Sequence, residues 1–402
     1  MSQTGKNTNR QRAAASNKAK CGSCPVHKKC GGCQLQNLSY PEQLSFKQSK
    51  VIRLLKDFGK VEPIIGMENP YHYRNKVQAA FYTNRQGKII SGVYQSGTHH
   101  VVGVDSCQIE DELADKIIVA VRKLLPSFRL TTYNEDTRKG FLRHVLVKRG
   151  FATDEVMLVL VTATPVFPSK NNFVKAILER FPQITTVIQN INPHKTNLVL
   201  GDRQVVLYGK GYIEDVLCGC RFRISPKSFY QINPVQTEVL YGKAIEFAQL
   251  KGDETVLDTY CGIGTIGIIA AKHGAGNVIG VELNGDAVRD AVQNAKANSL
   301  TNIRFFKGDA GEFMRDVAEE DERPDVVFMD PPRAGSTETF LSSLIKMSPK
   351  TVVYVSCSPE TLRRDLQYLI KNSEYKVRKI QPVDMFPHTA HVECVVLLTK
   401  ER

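Results

Sequence analysis

Two stretches of this chain carry residue types suited to chemistry. The first is Val352-Val353-Tyr354-Val355-Ser356-Cys357-Ser358-Pro359. Its β-branched and aromatic run predicts a buried parallel strand. Pro359 cannot continue a strand, so the thiol of Cys357 falls where the strand stops and a loop opens. Ligands of open α/β sheets collect at such strand ends, although a lone intracellular thiol is more often a small buried hydrophobe. The second stretch is Cys21-x2-Cys24-x5-Cys30-Gly-Gly-Cys33. Four thiols this close, in a chain too long for a disulfide miniprotein, read as metal ligands. Zinc on all four is one reading, though the five-residue gap is short for a zinc ribbon. The other is an iron–sulfur cluster held by three of them and a distant fourth. Cys107 is the candidate for that fourth place, which leaves Cys21 spare.

The elements around Cys357 give its strand end a context. From Thr255 onward the sequence alternates strand and helix, the pattern of a doubly wound sheet. Thr255–Asp258 predicts a strand running into Cys261-Gly262-Ile263-Gly264-Thr265-Ile266-Gly267 and an apolar helix. This glycine fingerprint is weak alone; here it follows a strand and opens a helix. A second strand, Val278–Val281, ends at Glu282, an acid placed to hold the hydroxyls of a ribose. An adenosine-type ligand follows, either NAD or S-adenosylmethionine. The third strand leads to Asp309, within reach of an adenine amino group. The fourth ends in Asp330-Pro331-Pro332-Arg333, a methyltransferase feature and not a dehydrogenase one. Acids often cap helices, but Asp258, Glu282, Asp309, Asp330 and Cys357 together at one sheet edge point to a site.

Composition bounds the rest. The 402 residues predict two or three domains, and 42% hydrophobic content supports real cores. The net charge of +13 implies a polyanionic partner such as RNA. No apolar run has the length of a membrane span, and the N-terminal stretch lacks a signal-peptide core, so a cytoplasmic protein with no membrane partner is expected. Residues 1–20 hold five basic and no acidic residues and predict a basic disordered tail. An α+β domain is expected over 21–225, including the cysteine segment, and the strand–helix domain over 226–402. Basic and aromatic residues interleave through Tyr71–Lys76 and Arg138–His144, a mixture suited to RNA. Cys218 and Cys220 read as half-buried strand residues, not ligands.

In these residues the chain resembles the S-adenosylmethionine-dependent RNA (uracil-C5) methyltransferases. The resemblance runs from Cys24 to the C-terminus. Its marks are Cys24-x5-Cys30-Gly-Gly-Cys33 with Cys107, Ser225-Pro-Lys-Ser-Phe229-Tyr-Gln231-Ile-Asn233-Pro234, Asp258-x2-Cys261-Gly-Ile-Gly264, Asp330-Pro-Pro-Arg333, Ser356-Cys357-Ser-Pro359 and Asp384-Met-Phe-Pro-His388-Thr-Ala-His391-Val-Glu393. It implies a class I methyltransferase domain of Rossmann-like α/β fold joined to an α+β domain with an iron–sulfur segment. It implies that Cys357 is the nucleophile and Glu393 the base. It implies that Gln231, Tyr260, Glu282, Asp309, Asp330, Gly262 and Gly264 contact S-adenosylmethionine, and that Cys24, Cys30, Cys33 and Cys107 hold a [4Fe–4S] cluster. Within the family such a cluster marks enzymes acting on 23S ribosomal RNA, with tRNA as the alternative substrate. Many ribosomal members carry a β-barrel before the cysteines; this chain resembles the shorter branch, and a monomer is implied. A non-catalytic iron–sulfur RNA-binding protein is the competing class. The last strand is expected to run antiparallel to its neighbours, which would place Glu393 beside Cys357.

Overall fold

The computed structural model describes residues 24–95, 97–317 and 323–400. Cys21 and the 1–20 segment lie outside the described residues. A short helix α1 (His27–Cys30) and a longer α2 (Tyr40–Leu55) come first. Helix α2 starts at a capping box: Glu42 accepts from the Ser39 N–H at 2.8 Å, with Pro41 in the first turn.

Next is a seven-stranded sheet built from β1 (Lys76–Thr83), β2 (Ile89–Tyr94), β3 (Val101–Gly103), β4 (Leu142–Arg149), β5 (Val156–Thr162), β6 (Ile184–Ile191) and β7 (Arg203–Tyr208), in the order β3-β2-β1-β4-β5-β6-β7. Only the β5–β6 pair is parallel, and helix α4 (Lys170–Leu178) makes that crossover. Helix α3 (Glu112–Leu124) begins three residues later than the apolar pattern predicts. Its first turn is set by Asp111, whose side chain accepts from the Ala114 N–H. Strands β4 and β5, in the middle of the sheet, are buried on both faces, while β7 is exposed along most of its length. Val145, Val147, Leu158 and Leu160 face the helices, while Leu146, Met157, Val159 and Val161 face the C-terminal half.

The second sheet follows a hairpin of β8 (Ile213–Leu217) and β9 (Cys220–Ile224) and helix α5 (Pro234–Ala248). Its strands are β10 (Thr255–Asp258), β11 (Asn277–Glu282), β12 (Ile303–Lys307), β13 (Val326–Met329), β14 (Thr351–Ser356), β15 (Tyr375–Val383) and β16 (Glu393–Lys400), in the order β12-β11-β10-β13-β14-β16-β15. Helices α6 (Thr265–Lys272), α7 (Gly285–Ala297), α8 (Ala310–Val317), α9 (Glu338–Met347) and α10 (Pro359–Asn372) cover its two faces. Strand β16 inserts between β14 and β15 and runs antiparallel to both. The architecture is the expected α/β Rossmann-like one, with its sheet buried on both sides.

Three local readings change. Cys218 is not a strand residue: it sits with Gly219 in a two-residue turn, both at positive φ, because Leu217 pairs with Cys220 and that twist needs left-handed residues. The apolar pattern around Leu198–Gly209 predicts strand, and the strand forms only over Arg203–Tyr208. The packing also ignores the 225/226 boundary. The β8–β9 hairpin buries Ile213, Leu217, Phe222 and Ile224 among residues of α5 and α6. Val51 and Leu55 of α2 join the core beneath α9 and α10. Chain order places these segments with the first sheet, but their apolar faces match the second.

Helix α2 also holds the loop between β15 and β16. Lys47, fully buried, donates to Asp384 at 2.5 Å and to the Phe386 carbonyl at 3.0 Å. Tyr40 donates to the other oxygen of Asp384 at 3.0 Å. Gln43 accepts from the His388 N–H at 2.8 Å. Removing one partner of a buried ion pair leaves an uncompensated charge, costing roughly 3–5 kcal/mol. Lys47→Met should therefore lose stability of about that size in urea unfolding, and Lys47→Met with Asp384→Leu should recover most of it; a single variant as stable as the parent would contradict this.

Candidate active site

The strand ends of the second sheet open onto a cavity of about 820 Å³, a volume suited to a cofactor-sized ligand. Cys357, Glu393, Gln231, Tyr260, Glu282, Asp309, Asp330 and Gly262 all line it. Gly264 does not. It takes φ +83° as the N-cap of α6, and a Cβ there would meet the Phe305 ring at 2.7 Å. Its place is the turn and the packing beneath it, not the cavity wall.

The pairing of β14 with β16 sets the central geometry. Ser356 lies opposite Cys394. One step further along an antiparallel pair brings Cys357 and Glu393 to the same level. Glu393 is 2% exposed, whereas Cys357 is half-buried at the mouth of its strand. Ser358 caps α10 and Ser356 accepts from the Ser358 N–H at 3.2 Å, so the thiol sits on a pinned turn.

Negative charge is concentrated here. Burial pushes Asp258 up to about 7, against an opposing hydrogen bond from the Gly267 N–H, and its Oδ1 has no partner. Burial, then Asp258, lifts Asp330 to about 7. Glu393 is raised well above the usual carboxylate range, by burial and then by Asp330. Burial also pushes the Cys357 thiol up to about 11; Glu393 and Asp330 add to this and Arg333 opposes it. A cation entering this cavity would relieve the repulsion and partner the orphaned Asp258 oxygen.

The other acids have defined posts. Glu282 accepts from the Gly262 and Asn284 N–H groups at 3.1 and 2.8 Å. Asp309 accepts from the Gly311 and Glu312 N–H groups, so it caps α8 while also lining the cavity. Tyr260 packs its ring 5.3 Å from that of Phe340. Gln231 reaches the Tyr241 hydroxyl at 3.4 Å.

The cavity also has walls that strand-tip reasoning did not find: Arg74, Phe229, Tyr241, Thr389, His391 and Gly32. Phe229 is 66% exposed, an aromatic ring displayed at the rim. Burial and the charge of Arg333 lower the pKa of His391, and the Arg333 guanidinium donates to its neutral ring. The two basic–aromatic stretches are largely internal. Tyr73 is buried and donates to the Pro387 carbonyl. Arg143 is buried against Glu135 and the carbonyls of Asn192 and His194. Their spacing predicts an RNA-facing strip; Tyr73 and Arg143 brace loops instead, while Arg138 and Lys139 are exposed.

Cys24, Cys30, Cys33 and Cys107 lie outside the cavity wall, although Gly32 between two of them is part of it. All four are half-buried free thiols. Cys33 is pushed up to about 11 by burial and then by the neighbouring Cys30 and Cys24. Cys33 and Cys107 both pack against the small core of Met67, Tyr73 and Ile109. Among the described residues, no three His, Cys, Asp or Glu side chains converge on one metal-ion position.

Comparison with known proteins places this geometry. The profile of the tRNA (uracil-5-)-methyltransferase family matches residues 183–401. An uncharacterized RNA methyltransferase of Bacillus cereus is 44% identical over 386 residues, covering 95% of this chain and 83% of that protein. One of Clostridium tetani is 44% identical over 380 residues, covering 94% and 82%. The Pyrococcus abyssi tRNA (uracil-54, C5)-methyltransferase, solved with S-adenosyl-L-homocysteine, superposes with a TM-score of 0.78 at 30% identity, covering 92% of this chain and 86% of that one.

The raised thiol makes a testable statement. An unperturbed cysteine titrates near 8.5. Alkylation of Cys357 by iodoacetamide, followed by peptide mass spectrometry, should keep accelerating toward pH 11. In Glu393→Gln, which removes the carboxyl that adds most to the shift after burial, the profile should move to lower pH. A plateau near 8.5 in the parent protein would contradict the geometry.

Proposed function

This chain belongs to the tRNA (uracil-5-)-methyltransferase family, and from that premise we propose that it methylates C5 of a specific uridine in 23S ribosomal RNA. The observation that carries the reading is the pairing of a thiol and a buried carboxyl, Cys357 and Glu393, at one level of the sheet edge beside a carboxylate-lined cavity. S-adenosylmethionine bound there supplies a methyl group on a positively charged sulfur. Glu282, Asp309, Asp330, Tyr260, Gln231 and Gly262 would hold it, and the unpartnered, buried oxygen of Asp258 fits a cationic ligand.

The chain's own residues then account for the reaction. Cys357 gives up its proton to solvent, and its sulfur, as the thiolate, bonds to C6 of the uracil. The C5–C6 electron pair moves onto the ring as an enolate, which makes C5 nucleophilic. Arg333, on the cavity wall, is placed to stabilise the developing oxyanion. After C5 is methylated, Glu393 takes the C5 proton. The electron pair left behind reforms the double bond and expels the Cys357 thiolate. The buried base must be ionised when it acts. A cation in the cavity favours that state, and loss of its charge on methyl transfer raises the proton affinity of Glu393 at the step that needs it. The target base must leave its stack, which favours loops over duplex.

The choice of ribosomal RNA rests on the cysteine set. Four thiols suit a [4Fe–4S] cluster as donors. The cluster would sit behind Gly32, bracing the cavity wall. Nine described free thiols fit a reducing, cytoplasmic setting.

Purified protein should transfer label from S-adenosylmethionine to undermethylated 23S ribosomal RNA and not to tRNA presented side by side. Anaerobically purified protein should carry iron and sulfide in equal amounts. Label in tRNA alone would overturn the substrate, and one zinc per chain would overturn the cluster.

A further inference from the structure

The first sheet carries a second concavity that shares no lining residue with the catalytic cavity. It holds about 350 Å³, and its walls include Tyr82, Tyr94, Tyr133, His99, Asn134 and Asp136. Tyr82 and Tyr94 are half-buried in the hollow and Tyr133 is buried. Tyr94 is half-buried, with its ring 6.0 Å from that of His144 in an edge-on contact and 6.4 Å from that of His99. The Arg143 guanidinium lies 4.8 Å over the Tyr133 ring and stiffens it from behind. His99 is held by Asp136 at 3.2 Å. Behind Tyr94, His144 is 6% exposed and its Nδ1 has no hydrogen-bond partner.

The chemistry of this hollow is specific. Flat aromatic faces bind other flat rings by stacking. Asn134 Oδ1 accepts from the Asp136 and Thr137 N–H groups and shapes the rim, and the exposed Asp136 carboxylate there is an acceptor suited to the exocyclic amino group of a base. Acidic groups inside argue against a phosphate there. Cations surround it instead: Arg138 and Lys139 are exposed on the hairpin that carries Asn134 and Asp136, and Arg85 is exposed on the β1–β2 turn. Aromatic hollow inside and cations outside is the arrangement for an unstacked nucleotide, base in and backbone out.

Its position fits the same occupant. Strand β1 connects the two sites, since Arg74 lines the catalytic cavity just before β1 and Tyr82 lines the hollow near its end. Eight residues of extended chain span roughly 25 Å at about 3.3 Å each. A short single-stranded run of RNA bridges that distance.

We propose that this hollow is a second base-binding site, which captures an amino-bearing base (adenine, cytosine or guanine) of the RNA several nucleotides from the target uridine. The inference rests on the RNA-methylating reading of the chain. The site would register the RNA on the first sheet and take part in choosing which uridine reaches Cys357. It adds nothing to the chemical step, so its loss weakens RNA capture and spares turnover.

The test uses the full-length protein with extracted ribosomal RNA. Tyr94→Leu removes the central ring, and His99→Ala alters an exposed loop residue whose loss cannot unfold the sheet. Both should raise KM for RNA, Tyr94→Leu by about tenfold or more as expected for one lost base stack, with kcat at saturating RNA and KM for S-adenosylmethionine unchanged. Ultraviolet cross-linking of the parent protein to the same RNA should yield a nucleotide adduct on a peptide containing Tyr82, Tyr94 or His99. Unchanged KM in both variants, or cross-links confined to the catalytic cavity, would overturn the second site while leaving the proposed reaction standing. If the parent protein transfers no methyl group to any RNA, the reaction falls instead, and the cross-link map still decides the hollow.

Discussion

One topological constraint organises this protein: the insertion of β16, antiparallel, between β14 and β15. Every other strand pair across β10 to β14 is parallel, so those strands all end at the same edge. A parallel last strand would begin at the opposite edge, some five residues of β-structure away from Cys357. Running backwards, β16 starts where the others stop. Its first residue, Glu393, therefore meets the thiol that β14 delivers. The loop before it, 384–391, cannot wander. It is held by the buried Lys47–Asp384 pair, by Gln43, and by Asn233, whose amide donates to the Met385 carbonyl at 3.0 Å. A segment distant in sequence, α2, thus fixes the approach of the proposed base.

The electrostatics of the cavity follow from crowding acids into a low-dielectric place. Asp258, Asp330 and Glu393 each resist ionisation because water is excluded and their neighbours share their sign. Cys357 suffers the same penalty. Alone, this is a poor setting for a thiolate and a general base. It becomes a good one when a positive charge occupies the cavity, since each acid then gains an opposite charge in place of a like one.

Much of this was legible in the sequence, for stated physical reasons. The β-branched run before Cys357 and the acid at each strand tip project to one edge because strand and helix alternate without interruption from Thr255. Those residues needed only the topology to be gathered. Gly264 lies off the cavity wall that Gly262 lines, and the Phe305 ring packed beside it is not visible from the fingerprint itself. Arg74 and Gly32 were not legible as cavity residues. Nothing local marks them; they arrive by folding of the first sheet and the cysteine loop against the second. The basic–aromatic stretches misled because interleaving looks the same whether the side chains face water or, as with Arg143, buried carbonyls and a carboxylate. The tyrosines of the second hollow come from three separate segments, so no window of sequence contains them.

The central claim is that Cys357 attacks C6 of a uracil whose C5 proton Glu393 must remove. RNA containing 5-fluorouridine tests it directly, because fluorine cannot leave C5 as a proton does. With S-adenosylmethionine present, the parent protein should become covalently joined to that RNA, and the adduct should map to the peptide carrying Cys357 and be absent in Cys357→Ala. A parent protein that methylates normal RNA yet forms no adduct with the fluorinated one, or an adduct that survives in Cys357→Ala, would contradict the account.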